Sequence, residues 1–178
     1  SIIQPGATLL VQILKAPIST KGARISCQIS LPGRHLVMMP TSDHIGISRR
    51  LEDDAERDRL RQLIETHRSA PGVGYIARTA AEGADARAVA GDLAFLDRLW
   101  GVILDTVRVS SPPSLIWEDL PVHLRTLRDL SPDGAVEILC DDDRQADEVE
   151  QFLAKLQPTG SYAVHRWRGR ETMWDHFG

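Results

Sequence analysis

The 178-residue chain has no apolar run long enough to span a bilayer. Its opening residues lack the basic, apolar and small-residue order of a secretory leader. Cysteine is scarce. Cys27 and Cys140 lie far apart, each in an apolar, strand-like setting. Two such residues make neither a disulfide framework nor a zinc pattern. Both are expected to be small buried hydrophobes in a reducing, cytoplasmic protein. A P-loop, a dinucleotide fingerprint and a nucleophile motif are missing, as are internal repeats and low-complexity segments. His123, His165 and His176 have no metal-ligand spacing.

What remains is an ordinary globular composition, 42% hydrophobic and 26% charged, with room for one domain or two small ones. The net charge of −4 argues against a polyanion partner, but the charge is unevenly spread. Residues 1–50 hold Lys15, Lys21, Arg24, Arg34, Arg49 and Arg50 against Asp43 alone, a net of +5, which leaves −9 for the rest. A polyanion responds to the local field rather than to the sum. The first third is therefore the candidate contact surface. A chance excess of basic residues on loops is the competing explanation.

Hydrophobic periodicity predicts the elements. Residues 7–15 and 23–30 read as two strands joined by a basic loop, the second with Ile25, Cys27 and Ile29 on one face. Such a hairpin alone is marginal in water. Leu31-Pro32-Gly33 breaks the pattern, and residues 35–39 form a short strand closed by Pro40. A loop with Gly46 leads to a polar helix over 52–68, striped by Leu60, Leu63, Ile64 and His67, with Glu52, Asp53 and Asp54 at its positive end. Residues 75–80 read as a strand. A long helix over 85–107 has Val89, Leu93, Leu96, Trp100, Ile103, Leu104 and Val107 on one face. Beyond a proline-rich link at 110–114 come a short helix at 121–130 and a turn at Pro132-Asp133-Gly134. A strand at 136–140, a helix opened by an acidic triplet with Ala146, Val149, Phe152, Leu153 and Leu156 inside, and a strand at 161–167 complete the pattern. The class is α+β, with two small subdomains of short mixed sheets and packed helices.

Five constellations carry chemistry. Arg78-Thr79 ends a strand ahead of Gly83; a guanidinium fork and a hydroxyl together suit a terminal phosphate, which has more free oxygens than an internal diester. A salt bridge plus a helix cap explains the same pair. Gly33 would let the backbone approach a ligand closely, Arg34 adds charge, and His35 could stack on a base; a turn before a core strand, with His35 facing solvent, is the alternative. Lys21, between two strands, sits where OB-like barrels contact single strands. Arg49-Arg50 is a further basic pair. Lys21 and Arg49-Arg50 equally suit solvated loops. Asp141, Asp142 and Asp143 could hold Mg²⁺ for phosphodiester hydrolysis, or cap the helix that they precede.

In order along the chain, these pieces resemble the ribonuclease E/G family. The matching stretches are Leu10-Val11-Gln12-Ile13, Thr20-Lys21-Gly22-Ala23-Arg24, and Ile29-Ser30-Leu31-Pro32-Gly33-Arg34-His35-Leu36-Val37-Met38-Met39-Pro40. Gly46-Ile47-Ser48-Arg49-Arg50-Leu51, Arg78-Thr79-Ala80-Ala81-Glu82-Gly83, and Asp92-Leu93 with Leu99-Trp100 after it continue the series. The resemblance implies three parts: residues 1–29 as the last strands of an S1, OB-type RNA-binding domain, 30–120 as a 5′-sensor domain, and 121–178 as part of an RNase H-like domain. It implies that Arg78 and Thr79 grip a 5′-monophosphate, that Gly33 and Val37 belong to the loop beside the terminal nucleotide, and that Lys21 faces RNA. Arg49 and Arg50 match a basic pair of the motif. The partner implied is single-stranded RNA with a 5′-monophosphate, and the parent a homo-oligomeric endoribonuclease of RNA processing and decay. Its Mg²⁺-dependent catalytic domain is expected to lie outside these residues, so that this segment has no cofactor and no cleavage activity. A small metal nuclease using Asp141, Asp142 and Asp143, or a structural module without RNA binding, are the other readings.

Overall fold

The computed structural model describes residues 4–69, 71–129, 135–156 and 161–177. The chain is α+β and divides into two compact units, residues 1–118 and 119–178. No helix among the described residues is long and apolar enough to cross a membrane.

The first unit begins with an antiparallel hairpin of β1 (Gln12–Lys15) and β2 (Arg24–Ser26). No other described strand pairs with it, and Ile13 and Ile25 stay largely exposed. Cys27, expected to be buried, is exposed. β2 stops at Ser26, and a two-stranded ribbon offers no second layer to cover that position. The Gln12 side chain ties the hairpin to Ser30, at the entrance to the next sheet. Its Nε2 donates to Ser30 O and its Oε1 accepts from Ser30 N–H, both at 2.9 Å.

That sheet has four strands in the order β3-β4-β6-β5: β3 (Leu31–Pro32), β4 (Leu36–Met39), β5 (Ile45–Ile47) and β6 (Gly74–Ala77). β3 and β4, and β4 and β6, are antiparallel; β5 and β6 are parallel. β3 and β5 fall where the sequence pattern predicts a break and a loop. With two and three residues they are too short to show alternation, and they exist because a longer neighbour supplies their pairing. Strand alternation puts Leu36, Met38, Tyr75, Ala77 and Ile47 on one buried face. Against it pack α1 (Asp54–His67), through Leu60 and Ile64, and α2 (Ala86–Val109), through Val89, Leu93, Leu96 and Ile103. Each helix starts on an aspartate cap. Asp53 accepts from Ala55 N–H at 3.0 Å and Asp85 from Ala88 N–H at 2.7 Å.

Gly74 opens β6 against the chain entering β5. A Cβ there would lie 2.5 Å from His44 O and 2.8 Å from Ser42 O, so only glycine allows this approach.

The second unit holds α3 (Val122–Asp129), β7 (Ala135–Cys140), α4 (Asp143–Leu156), β8 (Ser161–Arg166) and α5 (Met173–Phe177). β7 and β8 pair in parallel around α4. Leu124, Leu127 and Val149 form its buried centre, backed by Ile138, Phe152 and Val164. The turn expected at Pro132, Asp133 and Gly134 lies outside the described residues.

Candidate nucleic-acid interface

Strand direction brings three loops to one edge of the four-stranded sheet. β5 and β6 are parallel, so their carboxyl ends coincide, and Ser48, Arg49 and Arg50 lie beside Arg78 and Thr79. β4 runs antiparallel to β6, so the turn that enters β4, residues 33–35, lies at the same edge. Backbone bonds join the three: Ser48 N–H donates to Ala77 O and Arg78 N–H to His35 O, each at 2.8 Å. The carboxyl ends of parallel strands are where open α/β sheets leave a crevice.

A charged helix side chain stands behind each loop. Asp92 of α2, only 9% exposed, serves the turn at 33–36. Its Oδ1 accepts from Arg34 N–H at 3.0 Å, and its Oδ2 from His35 N–H at 2.9 Å and Leu36 N–H at 2.8 Å. Glu56 of α1 accepts from Gly83 N–H at 2.9 Å, behind the 3₁₀ turn Thr79–Ala81. Gly83 has φ +69°, a conformation that glycine adopts without strain. Arg59 clasps the same carboxylate at 2.6 and 2.7 Å. That bond, with the Gly83 N–H, holds the Glu56 carboxyl below its ordinary range, against the opposing effect of burial. Arg57 of α1 donates from Nη1 to Ser48 O and Leu51 O, both at 3.0 Å, and so closes the loop that carries Arg49 and Arg50.

The turn at 33–36 has no backbone donor to spare. Gly33 N–H bonds Leu36 O at 2.8 Å, and the next three N–H groups go to Asp92. The close approach that Gly33 permits is to this carboxylate. A Cβ at Gly33 would lie 2.6 Å from both Asp92 oxygens. The turn's carbonyls face the other way, and Arg78 Nη1 donates to Gly33 O at 2.6 Å and Arg34 O at 3.1 Å. His35 is buried rather than solvent-facing, with Nδ1 2.8 Å from Ala80 O. It ties the turn to the segment carrying Thr79.

Arg78 is half-buried and Thr79, Arg49 and Arg50 are exposed. Arg34 is half-buried, and its Nε is buried without a hydrogen-bond partner. Val37 is also half-buried, on the sheet face turned away from α1 and α2. Register places it in a row running Pro32, Val37, Ile76, Gly46 across all four strands. Lys21 is not part of this edge. It is exposed in the β1–β2 loop, where its N–H and C=O both pair with Ile18 at 3.0 Å.

Two members of the acidic triplet are otherwise committed. Asp142 Oδ1 accepts from Gln145 N–H at 2.8 Å and caps α4. Asp143 pairs with Arg168 at 2.7 Å and with Arg166 at 3.6 Å. Among the described residues no three His, Cys, Asp or Glu side chains are grouped to hold a metal ion. Cys140 is half-buried beside this segment, and burial, reinforced by the Asp141 charge, pushes its thiol up.

Asp92, Glu56 and Arg57 are the residues of this edge to which sequence reasoning gave no site role. Asp92 had a detectable signal: it lies within the apolar stripe of Val89, Leu93 and Leu96, where a carboxylate needs buried partners. Glu56 and Arg57 look like any charges on a polar helix.

A model of the Ribonuclease E/G family matches residues 30–178. The chain is 35% identical over 177 residues to Ribonuclease G of Haemophilus influenzae, covering 99% of this chain and 36% of that protein. It is 32% identical over 176 residues to Ribonuclease G of Escherichia coli K12, with coverage of 99% and 36%. Ribonuclease E of Nostoc sp. is 35% identical over 180 residues, covering 99% of this chain and 26% of that protein. The chain thus spans about a third or less of the length of these relatives. It belongs to the ribonuclease E/G family.

Proposed function

We propose that this segment binds the 5′-monophosphate end of single-stranded RNA on behalf of an endoribonuclease of RNA processing and decay. The observation that carries the reading is the gathering of Arg78, Thr79, Arg34, Arg49 and Arg50 at one sheet edge, on loops fixed from behind. Arg78 and the Thr79 hydroxyl are the donors for the terminal phosphate. With every N–H of residues 33–36 already used, the anion must be held by side chains rather than by that turn's backbone. The row through Val37 and Ile76 supplies an apolar floor against which the terminal base can lie. Arg49 and Arg50 steer the next phosphates along the strand. On this reading residues 30–120 are the end sensor, 1–29 the last strands of an S1-type domain with Lys21 facing RNA, and 121–178 a structural RNase H-like part. The parent is a cytoplasmic homo-oligomer that uses Mg²⁺ for cleavage, and residues 1–178 contribute recognition without a hydrolytic centre.

The test is affinity for one short RNA bearing a 5′-monophosphate, a 5′-hydroxyl or a 5′-triphosphate. A charge-assisted phosphate bond contributes roughly 1.5–3 kcal/mol. The monophosphate should therefore bind about ten- to a hundred-fold tighter than the hydroxyl. Arg78→Gln should erase that preference and Thr79→Val should reduce it. Equal binding of all three ends by the wild type would sink the reading.

A further inference from the structure

We infer that Asp92 is a positioning residue for phosphate-end discrimination, acting through the turn at 33–36 on the Arg78 guanidinium. This rests on the end-sensing reading above and adds to it a residue that does not touch the ligand.

Three successive backbone N–H groups pointing at one spot form an anion-binding nest. Here the nest is filled from inside the protein by the Asp92 carboxylate, at 2.8–3.0 Å from Arg34, His35 and Leu36 N–H. The turn therefore cannot offer those donors to an external phosphate. Its Gly33 and Arg34 carbonyls are also held in the orientation in which both accept from Arg78 Nη1, at 2.6 and 3.1 Å. The guanidinium is thereby located by a relay of carboxylate, turn N–H groups, turn carbonyls and arginine. The long Arg78 side chain loses its rotational freedom on folding, before any ligand arrives, and that is what sharpens recognition. Gly33 is part of the same device, since a Cβ at that position would fall 2.6 Å from both carboxylate oxygens.

The experiment compares wild type with Asp92→Asn and Gly33→Ala. Asparagine preserves the size of the side chain, but its amide nitrogen would meet an N–H donor instead of accepting it. Alanine at Gly33 disturbs the same contact from the opposite side. For each protein, affinity is measured for one single-stranded RNA with a 5′-monophosphate and with a 5′-hydroxyl, after thermal unfolding has shown it folded. Amide hydrogen exchange of residues 34–36 is measured in parallel. Both variants should exchange these amides faster than wild type, and the monophosphate-over-hydroxyl ratio should fall about ten-fold or more, with affinity of Asp92→Asn for the hydroxyl end unchanged. A purely structural role would lower both affinities together, and that result would overturn the proposal. So would a wild-type ratio kept by Asp92→Asn while its amides are deprotected. A wild type that does not distinguish the two ends would overturn the end-sensing reading, and the role of Asp92 with it.

Discussion

The chain contains two parallel strand–helix–strand segments, β5-α1-β6 and β7-α4-β8, and they handle charge in opposite ways. In the first, two further strands and α2 complete a core in which Leu36, Leu60, Ile64, Tyr75 and Leu96 are fully buried. Charged side chains there reach backbone groups of the loops: Asp92 to residues 34–36, Glu56 to Gly83, Arg57 to Ser48 and Leu51. In the second, a thinner core of Leu124, Leu127 and Val149 is flanked by half-buried Arg166 with the exposed Asp147 and Glu150, and by Arg168 with Asp143, both exposed. Those carboxylates hold the Arg166 guanidinium proton more tightly than usual, but water competes for every partner. The lesson concerns where a charge acts. A charge out of water that satisfies main-chain donors fixes a loop's shape, whereas an ion pair in water mostly decorates a seam.

The largest effect that would break this contrast is in the cores. Leu60→Ala should destabilise the first unit by about 2–5 kcal/mol, and Val149→Ala the second by about 1.5 kcal/mol, read by denaturant unfolding. A greater loss at Val149 would reverse the ranking of the two cores. A smaller effect concerns Glu56. Its carboxyl titrates below its ordinary 4.5 in the folded chain, so its contribution to stability is complete above that value and is lost as the pH falls from 4.5 towards the lowered one. Glu56→Gln should flatten the acid side of the pH–stability curve. An unchanged slope would mean that neither the Arg59 clasp nor the Gly83 contact contributes. The smallest effect is expected at Arg166. Arg166→Ala should leave the unfolding midpoint within experimental scatter of wild type, and any difference should vanish in high salt.

Helices α1 and α2 were legible in the sequence because each carries its own instructions: an aspartate cap at Asp53 or Asp85, and an apolar stripe at three-four spacing through Leu60 and Ile64, or through Val89, Leu93, Leu96 and Ile103; the short α5 has neither and was not foreseen. The strands β4, β6, β7 and β8 showed as short apolar runs. β3 and β5 did not, since two or three residues become a strand only when a partner offers its ladder. Cys27 misled for a related reason: alternation at Ile25, Cys27 and Ile29 implies a buried face, but burial needs a second layer, which only Ile29 finds.

Of the candidate site, the residue types could be named from the chain alone, because guanidinium, hydroxyl and glycine have chemistry that does not depend on their neighbours. Their grouping could not. Arg49-Arg50, Arg78-Thr79 and Gly33-Arg34 lie well apart along the chain, and they meet because β5 runs parallel to β6 while β4 runs against it. Lys21 is left outside that meeting by the same topology. Whether an aspartate in an apolar stripe is a blemish or a clamp also depends on what faces it. For Asp92 the answer is three N–H groups from a turn nearly sixty residues away. Local sequence sets which conformations a segment favours. Long-range pairing sets which backbone groups need a partner, and so where a buried charge becomes useful.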